Sequence, residues 1–228
     1  MTNQPYNPLD KMNLARSIET ELLKREPITF EQLKDVQGAG VYALYYFGDF
    51  GAYAHVKARN SDGKYTQPIY VGKAIPEGGR KGGISTDGSI GTALSKRLST
   101  HSRSIMQVEN LDVKDFAIRY LVVDDIWIPL GENMLIESAK PIWNRALDGF
   151  GNNAPGVNRE TQVKSPWDVL HPGRSAFLKA KSNGLTPEFL VERIEDYLAD
   201  RPMKPLPKPV KEQLAADHAD AVDAADNL

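Results

Sequence analysis

Three things are scarce in this sequence: cysteine, long apolar runs and any net excess of positive charge. The 228 residues contain no cysteine, which excludes disulfides and thiolate-ligated zinc sites and fits a reducing compartment. No stretch approaches the roughly 18 apolar residues of a membrane-spanning helix, and the polar N-terminus has no apolar signal-peptide core. We therefore expect a cytoplasmic protein that does not associate with membranes.

The composition, 41% hydrophobic and 25% charged, is ordinary for a chain that folds around one well-packed core. The net charge of −2 hides an uneven distribution, because the tail 211–228 is acidic and the segment 64–111 is basic. A local basic face matters more than total charge for binding a polyanion. Nucleic acid is therefore an acceptable partner, although a solvated surface explains the same charges equally well.

The pattern of apolar residues predicts three strands, at 40–47, 68–73 and 116–124. Helices are predicted at 10–25, 30–36, 91–108, 128–139, 175–182 and 187–199. The segment between the first two strands is too long for a tight hairpin turn, and we interpret it as an insertion with a β-ribbon over 52–59. The fold class is therefore α+β, a small three-stranded antiparallel sheet flanked by helices.

A cation and an imidazole share one face of the predicted helix at 91–108. Arg97 and His101 are four residues apart, and their neighbours on that face are apolar. Burying an unpaired arginine is costly, so an anionic partner or ligand is expected there. An arginine that extends to solvent beside a hydrogen-bonded core histidine is the more ordinary explanation of the same pattern.

The predicted helix at 128–139 carries two acids with different orientations. Its apolar stripe consists of Ile128, Leu135, Ile136 and Ala139. Helical spacing places Glu132 within this stripe, whereas Glu137 lies about 140° around the helix in a solvated position. A carboxylate that faces the core needs a divalent cation or a positive side chain, and a buried pair with Arg97 is one such arrangement.

Taken together, these features resemble the GIY-YIG nuclease superfamily. The matching positions are Gly40-Val41-Tyr42, Tyr70-Val71-Gly72, Arg97, Glu132 and Asn144. They correspond to the two glycine-tyrosine elements, the arginine of the following helix, the acid and the later asparagine. The resemblance covers about residues 38–145. Two departures are a long gap between the glycine-tyrosine elements and valine in place of isoleucine in each of them.

The chain length, the insertion and the region 148–174 are most similar to the stand-alone type II restriction endonucleases of this superfamily, with relatives that cut the palindrome CCGCGG. We accordingly divide the chain into four parts. These are an N-terminal helical extension (1–37), the GIY-YIG core (38–145, insertion 48–67), a DNA-recognition and helical region (146–200), and a flexible proline-rich and then acidic tail (201–228).

The resemblance implies phosphodiester hydrolysis with one Mg²⁺ or Mn²⁺ ion held by Glu132. Arg97 would stabilise charge on the phosphate, and Tyr70 would donate a hydrogen bond to the phosphate or the water. Asn144 would position neighbouring groups.

The general base stays open among Tyr42, His101 and Lys73. A free phenol has a pKa near 10, so Tyr42 would need nearby positive charge, from Lys73 or the metal, to lower its pKa. His101 could take or relay the proton.

A palindromic site calls for two copies of a nuclease with one active site, so we expect a homodimer on double-stranded DNA. Basic residues outside the catalytic set could contact this DNA, and arginine and lysine are also the usual readers of guanine. The candidates are Lys57, Arg59, Arg80, Lys81, Arg159, Lys164 and Arg174.

Two alternative functions are compatible with the same residues. One is a structure-selective repair nuclease or a homing endonuclease of the same superfamily, and the other is a non-catalytic nucleic-acid-binding module on the same fold. The retained Tyr42, Arg97 and Glu132 disfavour the binding module, because a binder has no need of an inward carboxylate near phosphate.

Overall fold

The computed structural model describes residues 7, 9–76, 91–151, 163–175 and 181–215. The strands are β1 (Gly40–Tyr46), β2 (Tyr70–Ala74) and β3 (Phe116–Val122). The helices are α1 (Lys11–Leu23), α2 (Ala54–Asn60), α3 (Ala93–Met106), α4 (Ile128–Ala139), α5 (Ile142–Arg145), α6 (Pro166–Leu170) and α7 (Pro187–Leu198). Short 3₁₀ turns lie at Phe30–Asp35, Gly51–Tyr53, Val113–Asp115 and Asp125–Trp127, and the chain is helical again over 208–215.

The sheet is antiparallel with the strand order β2-β1-β3, which confirms the predicted α+β class. All seven residues of the central strand β1 are buried. Gly40 begins this strand, and a Cβ atom there would lie 2.0 Å from the carbonyl oxygen of Leu121 on β3. Only glycine therefore permits the two strands to approach each other this closely.

Alternate residues of β1 face two different apolar layers, as the period of two in a strand requires. Val41 and Ala43 pack in a smaller cluster with residues of α1 and α4. Tyr42 and Leu44 point to the opposite side, into a larger core that includes residues of α3, α5, α6 and α7. In the described residues no helix is long and apolar enough to cross a membrane.

The predicted ribbon over 52–59 is wrong, because this part of the insertion forms a 3₁₀ turn followed by α2. The buried residues Tyr53, Val56 and Asn60 are spaced by three and four, which matches one face of a helix. The Asn60 side chain donates to the carbonyl oxygens of Tyr46 (2.9 Å) and Gln67 (2.8 Å) and accepts from the backbone N–H of Gln67. These bonds tie the insertion to the end of β1.

The core crosses the boundaries expected at 37/38 and 145/146. The cluster that contains Tyr42 includes Phe30 and Leu33 from before the first boundary. It also includes Trp167 and Leu190 from after the second boundary. The proline-rich stretch was predicted to be flexible, and its described part has apolar contacts with the fold. Leu206 and Val210 are buried against the fold. The helix predicted at 175–182 and the acidic tail after residue 215 lie largely or wholly outside the described residues.

A chain of buried polar groups joins the insertion to the region after α5. Trp143 Nε1 donates to the Tyr53 hydroxyl (2.9 Å), and this hydroxyl lies 2.6 Å from Nε2 of His171. Nδ1 of His171 lies 2.8 Å from Oδ1 of Asn110, so Nδ1 carries the ring proton and Nε2 accepts from Tyr53. Burial lowers the pKa of His171 from 6.5 to about 3. The imidazole is thus a neutral structural group with both nitrogens satisfied.

We predict that His171→Gln makes the stability of the protein less sensitive to acid. Folded His171 stays neutral down to about pH 3, whereas the unfolded chain binds a proton below about 6.5, so stability falls as the pH falls through this window. The contribution is on the order of 3 kcal/mol between pH 7 and pH 4.

Urea unfolding at pH 7, 5.5 and 4 measures this effect. Glutamine can donate to Asn110 and accept from Tyr53 without binding a proton. The variant should therefore be less stable at pH 7, but its free energy of unfolding should fall less steeply as the pH falls. An equal loss of unfolding free energy with falling pH in both proteins would show that His171 is protonated in the folded state.

Candidate active site

Most of the candidate catalytic side chains converge on the paired strands β1 and β2. The rings of Tyr42 and Tyr70 lie 6.3 Å apart, and that of His101 lies 5.5 Å from Tyr42 and 5.3 Å from Tyr70. The guanidinium of Arg97 interacts with both tyrosine hydroxyls. The sequence prediction that Arg97 and His101 share a face of α3 is confirmed, since both point to the sheet.

Gly72 makes room for the Tyr42 phenol. The two residues are opposite each other in the β1–β2 ladder. A Cβ atom at position 72 would lie 2.4 Å from the Tyr42 hydroxyl oxygen and 2.6 Å from Cζ. Glycine is therefore needed at position 72, because only a residue without a side chain lets the Tyr42 hydroxyl lie over the backbone of β2.

His101 is fully buried, and its Nε2 lies 2.6 Å from the Tyr42 hydroxyl. Burial, and then the positive charge of Arg97, holds the pKa of His101 well below its usual value, so the ring is neutral. Within the described part of the chain Nδ1 has no hydrogen-bond partner. The ordinary explanation, a satisfied core histidine, therefore holds for His171 but not for His101.

The tyrosines are neutral too. Burial, and then the neighbouring Tyr70, raises the pKa of Tyr42 well above 10, and the positive charge of Arg97 opposes this shift. Burial also raises the pKa of Tyr70. The downward shift expected for Tyr42 is therefore wrong for the protein alone, and the cation beside its hydroxyl is Arg97.

The two acids of α4 lie as their helix phase predicts. The Glu132 side chain is only 16% exposed, and its Oε2 lies 2.7 Å from Nζ of Lys73 on β2. The positive partner of Glu132 is thus Lys73, and the pair with Arg97 that we considered is not seen. Glu137 is 69% exposed and pairs with Arg145 at the surface.

The donor set at Glu132 suits a hard divalent cation. Its carboxylate already accepts the ammonium of Lys73, so this position holds positive charge. In the described residues no three acidic or histidine side chains come together as a metal-binding group. A metal ion held by Glu132 would therefore complete its coordination with water and with oxygens of the substrate, as expected for a single-carboxylate site.

The side chain of Asn144, one of the catalytic candidates, is hydrogen-bonded to the backbone of β2. Its Nδ2 donates to the carbonyl oxygen of Val71 (2.9 Å), and its Oδ1 accepts from the N–H of Val71 (2.8 Å). The amide therefore pairs with the free edge of β2 as another strand would. This contact fixes the strand segment that carries Tyr70, Gly72 and Lys73.

Two residues at the base of the site were not predicted. The ring of Phe150 lies 4.6 Å from that of His101 with an interplanar angle of 18°, and it also contacts Tyr70. A Cβ atom at Gly151 would lie 2.6 Å from Cε1 of His101. The only sequence signal is the Gly149-Phe150-Gly151 triplet, which begins the region 148–174 between predicted helices.

The DNA-binding candidates have different surroundings. Arg174 is 5% exposed and forms two hydrogen bonds with Asp168, so its assignment as a DNA contact is wrong. Lys57 pairs with Asp49, whereas Arg59 is exposed and Lys164 is half-buried. The remaining candidates lie outside the described residues: Arg80, Lys81 and Arg159.

The sequence matches the model of a known protein family. A family model described as the Eco29kI GIY-YIG domain matches residues 34–198, which is more than half of the chain. The match includes every described residue of the candidate site and extends past residue 145 to the end of α7. No curated protein matches the sequence.

We predict that Gly72→Ala displaces the Tyr42 hydroxyl while the sheet is kept. The backbone at position 72 suits any residue, but the new methyl group would collide with the phenol. Overpacking of this kind costs about 1–3 kcal/mol, measurable by urea unfolding. Two-bond ¹H–¹⁵N spectra of the histidine rings should show a change at His101.

Gly51→Ala is the matched control, since a Cβ atom at Gly51 would meet nothing within 4 Å. It should leave stability within about 0.5 kcal/mol and His101 unchanged. An unchanged His101 signal in Gly72→Ala would mean that the phenol does not depend on the space above Gly72.

Proposed function

The chain belongs to the Eco29kI GIY-YIG domain family and is a restriction-type endonuclease, and from this premise we propose how it acts. It hydrolyses both strands of double-stranded DNA at a GC-rich palindrome such as CCGCGG, as a homodimer, with one divalent metal ion per active site. The observation that carries the proposal is the buried Tyr42–His101 contact beside Arg97, with the half-buried Glu132 at the edge of the same sheet.

Tyr42 orients and deprotonates the attacking water together with His101. Both groups are neutral in the protein, so Tyr42 need not carry a stable negative charge. Its oxygen accepts a hydrogen from the water while its own proton passes along the 2.6 Å contact to Nε2 of His101. Of the three candidates for general base, the Tyr42–His101 contact favours Tyr42 acting with His101. Lys73 is less suitable because its ammonium is paired with Glu132.

Arg97 and Tyr70 bind the scissile phosphate. The guanidinium lies beside the two tyrosine hydroxyls in the protein alone. A fixed positive charge in a site with little water stabilises the charge that develops on the phosphoryl oxygens. The Tyr70 hydroxyl donates a further hydrogen bond to the same phosphate.

Glu132 would hold Mg²⁺ or Mn²⁺, which supplies charge stabilisation for the phosphate and the leaving oxygen when bound. The ammonium of Lys73 lies 2.7 Å from the same carboxylate and must move aside. Lys73 is 38% exposed and has a flexible side chain, so it can turn to the DNA phosphates instead.

The homodimer follows from the symmetry of the proposed substrate, because each protomer offers one site to one strand. Among the described candidates for DNA contact, Arg59 is exposed and unlike Lys57 has no ion pair in the described residues. It lies on α2, which packs near Tyr46 at the end of β1. Tyr46 is four residues, or about 13 Å of strand, away from Tyr42. That separation suits a contact to bases or phosphates away from the cut.

The proposal is tested by incubating the protein with a mixed-sequence plasmid in Mg²⁺, in Mn²⁺ and in EDTA. Discrete fragments that require metal, with ends that map to one palindrome, are the expected result. A smear, or a preference for branched DNA, would favour the repair nuclease. Intact DNA with a gel shift would favour the non-catalytic binding module. Sedimentation with and without a DNA duplex tests the homodimer.

We predict that Glu132→Ala abolishes cleavage and leaves DNA binding intact. The variant loses the carboxylate that would hold the metal, whereas Arg97 and Lys73 remain to bind phosphate. Cleavage rates and gel shifts measure the two effects.

Glu137→Ala is the control for this variant, because it removes an acid of the same helix that is 69% exposed and lies away from the site. It should retain cleavage. An inactive Glu137→Ala with an active Glu132→Ala would reverse the assignment of the metal ligand.

We predict that Tyr42→Phe lowers the cleavage rate at least about a hundredfold, the usual scale for a general acid or base. The ring is kept, so the packing over Gly72 survives and DNA affinity should change little. Single-turnover cleavage measures the rate of the chemical step.

Tyr45→Phe serves as the comparison, since Tyr45 is a buried tyrosine of β1 on the opposite face, beside Arg119. Its rate should be close to that of the wild type. Equal rates in the two variants would make Tyr42 a packing residue.

A further inference from the structure

We propose that Phe150 is a positioning residue for catalysis, which holds the His101 imidazole against the Tyr42 hydroxyl. The role rests on the proposed nuclease function for its kinetic consequence. Its structural part, the orientation of the His101 ring, stands independently of any activity. The residue lies beyond the expected core 38–145, so the active site would depend on the segment that follows α5.

The geometry at Phe150 suits orientation of a ring rather than burial alone. Phe150 is 4% exposed and stacks on His101 with a centroid distance of 4.6 Å and an angle of 18°. Tyr42 and Tyr70 approach the imidazole at steeper angles of 54° and 68°. Phe150 is thus the one described aromatic neighbour that is nearly parallel to the imidazole plane, and a flat surface there limits rotation of the ring.

His101 needs such support because its hydrogen bonds do not fix it. Nε2 is bonded to Tyr42, but Nδ1 has no partner in the described part of the chain. In His171 both nitrogens are bonded, to Tyr53 and Asn110, and these bonds define the ring plane. With one bond only, His101 can turn about that bond unless packing prevents it.

The backbone next to Phe150 is itself held by several contacts. Gly149, with φ +112°, lies where a side chain would collide with Ser165, and its carbonyl oxygen accepts from Arg174 (3.2 Å). Arg174 makes two hydrogen bonds to Asp168, at 2.6 and 2.7 Å, and its guanidinium lies 4.9 Å from the Trp167 ring. This buried ion pair therefore anchors the backbone next to Phe150.

Gly151 supports the imidazole from a second side. It has φ +77°, and a Cβ atom there would lie 2.6 Å from Cε1 of His101 and 3.2 Å from Nη2 of Arg97. The backbone at residue 151 is therefore in close contact with both catalytic candidates of α3. Together, Phe150 stacks on one face of the imidazole and Gly151 closes the edge at Cε1.

The first test replaces Phe150 with leucine, which fills most of the volume but offers no flat surface. We expect the single-turnover rate to fall roughly 10- to 100-fold, the scale of a displaced catalytic group, with an unchanged Kd for DNA. Phe116→Leu is the control, since Phe116 is 1% exposed in the same cluster and has no ring contact with His101. It should lose stability and keep its rate.

The second test uses two glycines with the same φ of +77°, and it remains informative if Phe150→Leu fails to fold. Gly151→Ala and Gly184→Ala impose the same backbone strain, but a Cβ atom at Gly184 would meet nothing within 4 Å. Gly151→Ala should lose rate at least about tenfold, and Gly184→Ala should not. Equal rates in these two variants would show that catalysis does not depend on the position of the His101 ring, which would overturn the proposal.

The third test asks whether Phe150 acts through His101. In a His101→Ala background, Phe150→Leu should lower the cleavage rate by less than a further factor of about two, because both changes remove the same function. A full additional loss would show that Phe150 acts on another group.

Two-bond ¹H–¹⁵N spectra of the histidine rings separate this proposal from the nuclease function. Wild-type His101 should show one defined tautomer, and Phe150→Leu should show averaging between tautomers. If the protein cuts no DNA but these spectra change as expected, the function fails and the positioning role stands. If it cuts DNA and the spectra of His101 are unchanged in Phe150→Leu, the positioning role is wrong.

Discussion

The buried contact between the Tyr42 hydroxyl and Nε2 of His101 is the interaction on which the rest of the site depends. It requires a glycine at position 72, since any side chain there would occupy the space of the phenol. Burial raises the pKa of Tyr42 and lowers that of His101, so both partners are uncharged. A neutral pair can pass a proton along its hydrogen bond without leaving a lasting charge in the core. The packing that stabilises the fold therefore also sets the protonation state that the proposed chemistry requires.

The described residues contain two tyrosine–histidine pairs with the same 2.6 Å contact, and their neighbours distinguish the structural pair from the candidate catalytic pair. In the Tyr53–His171 pair, Asn110 and Trp143 complete the hydrogen bonds, so nothing is left for a substrate. His101 is equally buried, but its second nitrogen has no partner among the described residues. Buried polar groups are normally satisfied, and the exceptions concentrate where function rather than stability sets the arrangement. Both pairs look alike in sequence, because the difference lies in neighbours that are distant along the chain.

The features that sequence predicted are those that depend on local periodicity. The phase of α4 was enough to separate Glu132 from Glu137, because a helix fixes the direction of each side chain. The insertion was predicted wrongly as a ribbon, since its conformation is stabilised by the contacts of Asn60 with the end of β1 rather than by a local pattern. Arg174 was misassigned for a similar reason. Its partner is only six residues away, but no periodic element links the two, and only the fold shows that both are buried.

The burial of Arg174 also explains why the region after α5 cannot be treated as an appendage. Taking two charges out of water is costly, and the pair with Asp168 gives little net stability unless its geometry is good and its remaining hydrogen bonds are made. Here both conditions hold, because the pairing is bidentate and the guanidinium also reaches the carbonyl oxygen of Gly149. Such a pair tolerates only one arrangement of the backbone, so it specifies geometry more than it adds stability. The backbone that it specifies leads directly to Phe150 and His101, and the family match includes this region. The candidate catalytic residues and the segment after α5 therefore form one physical unit.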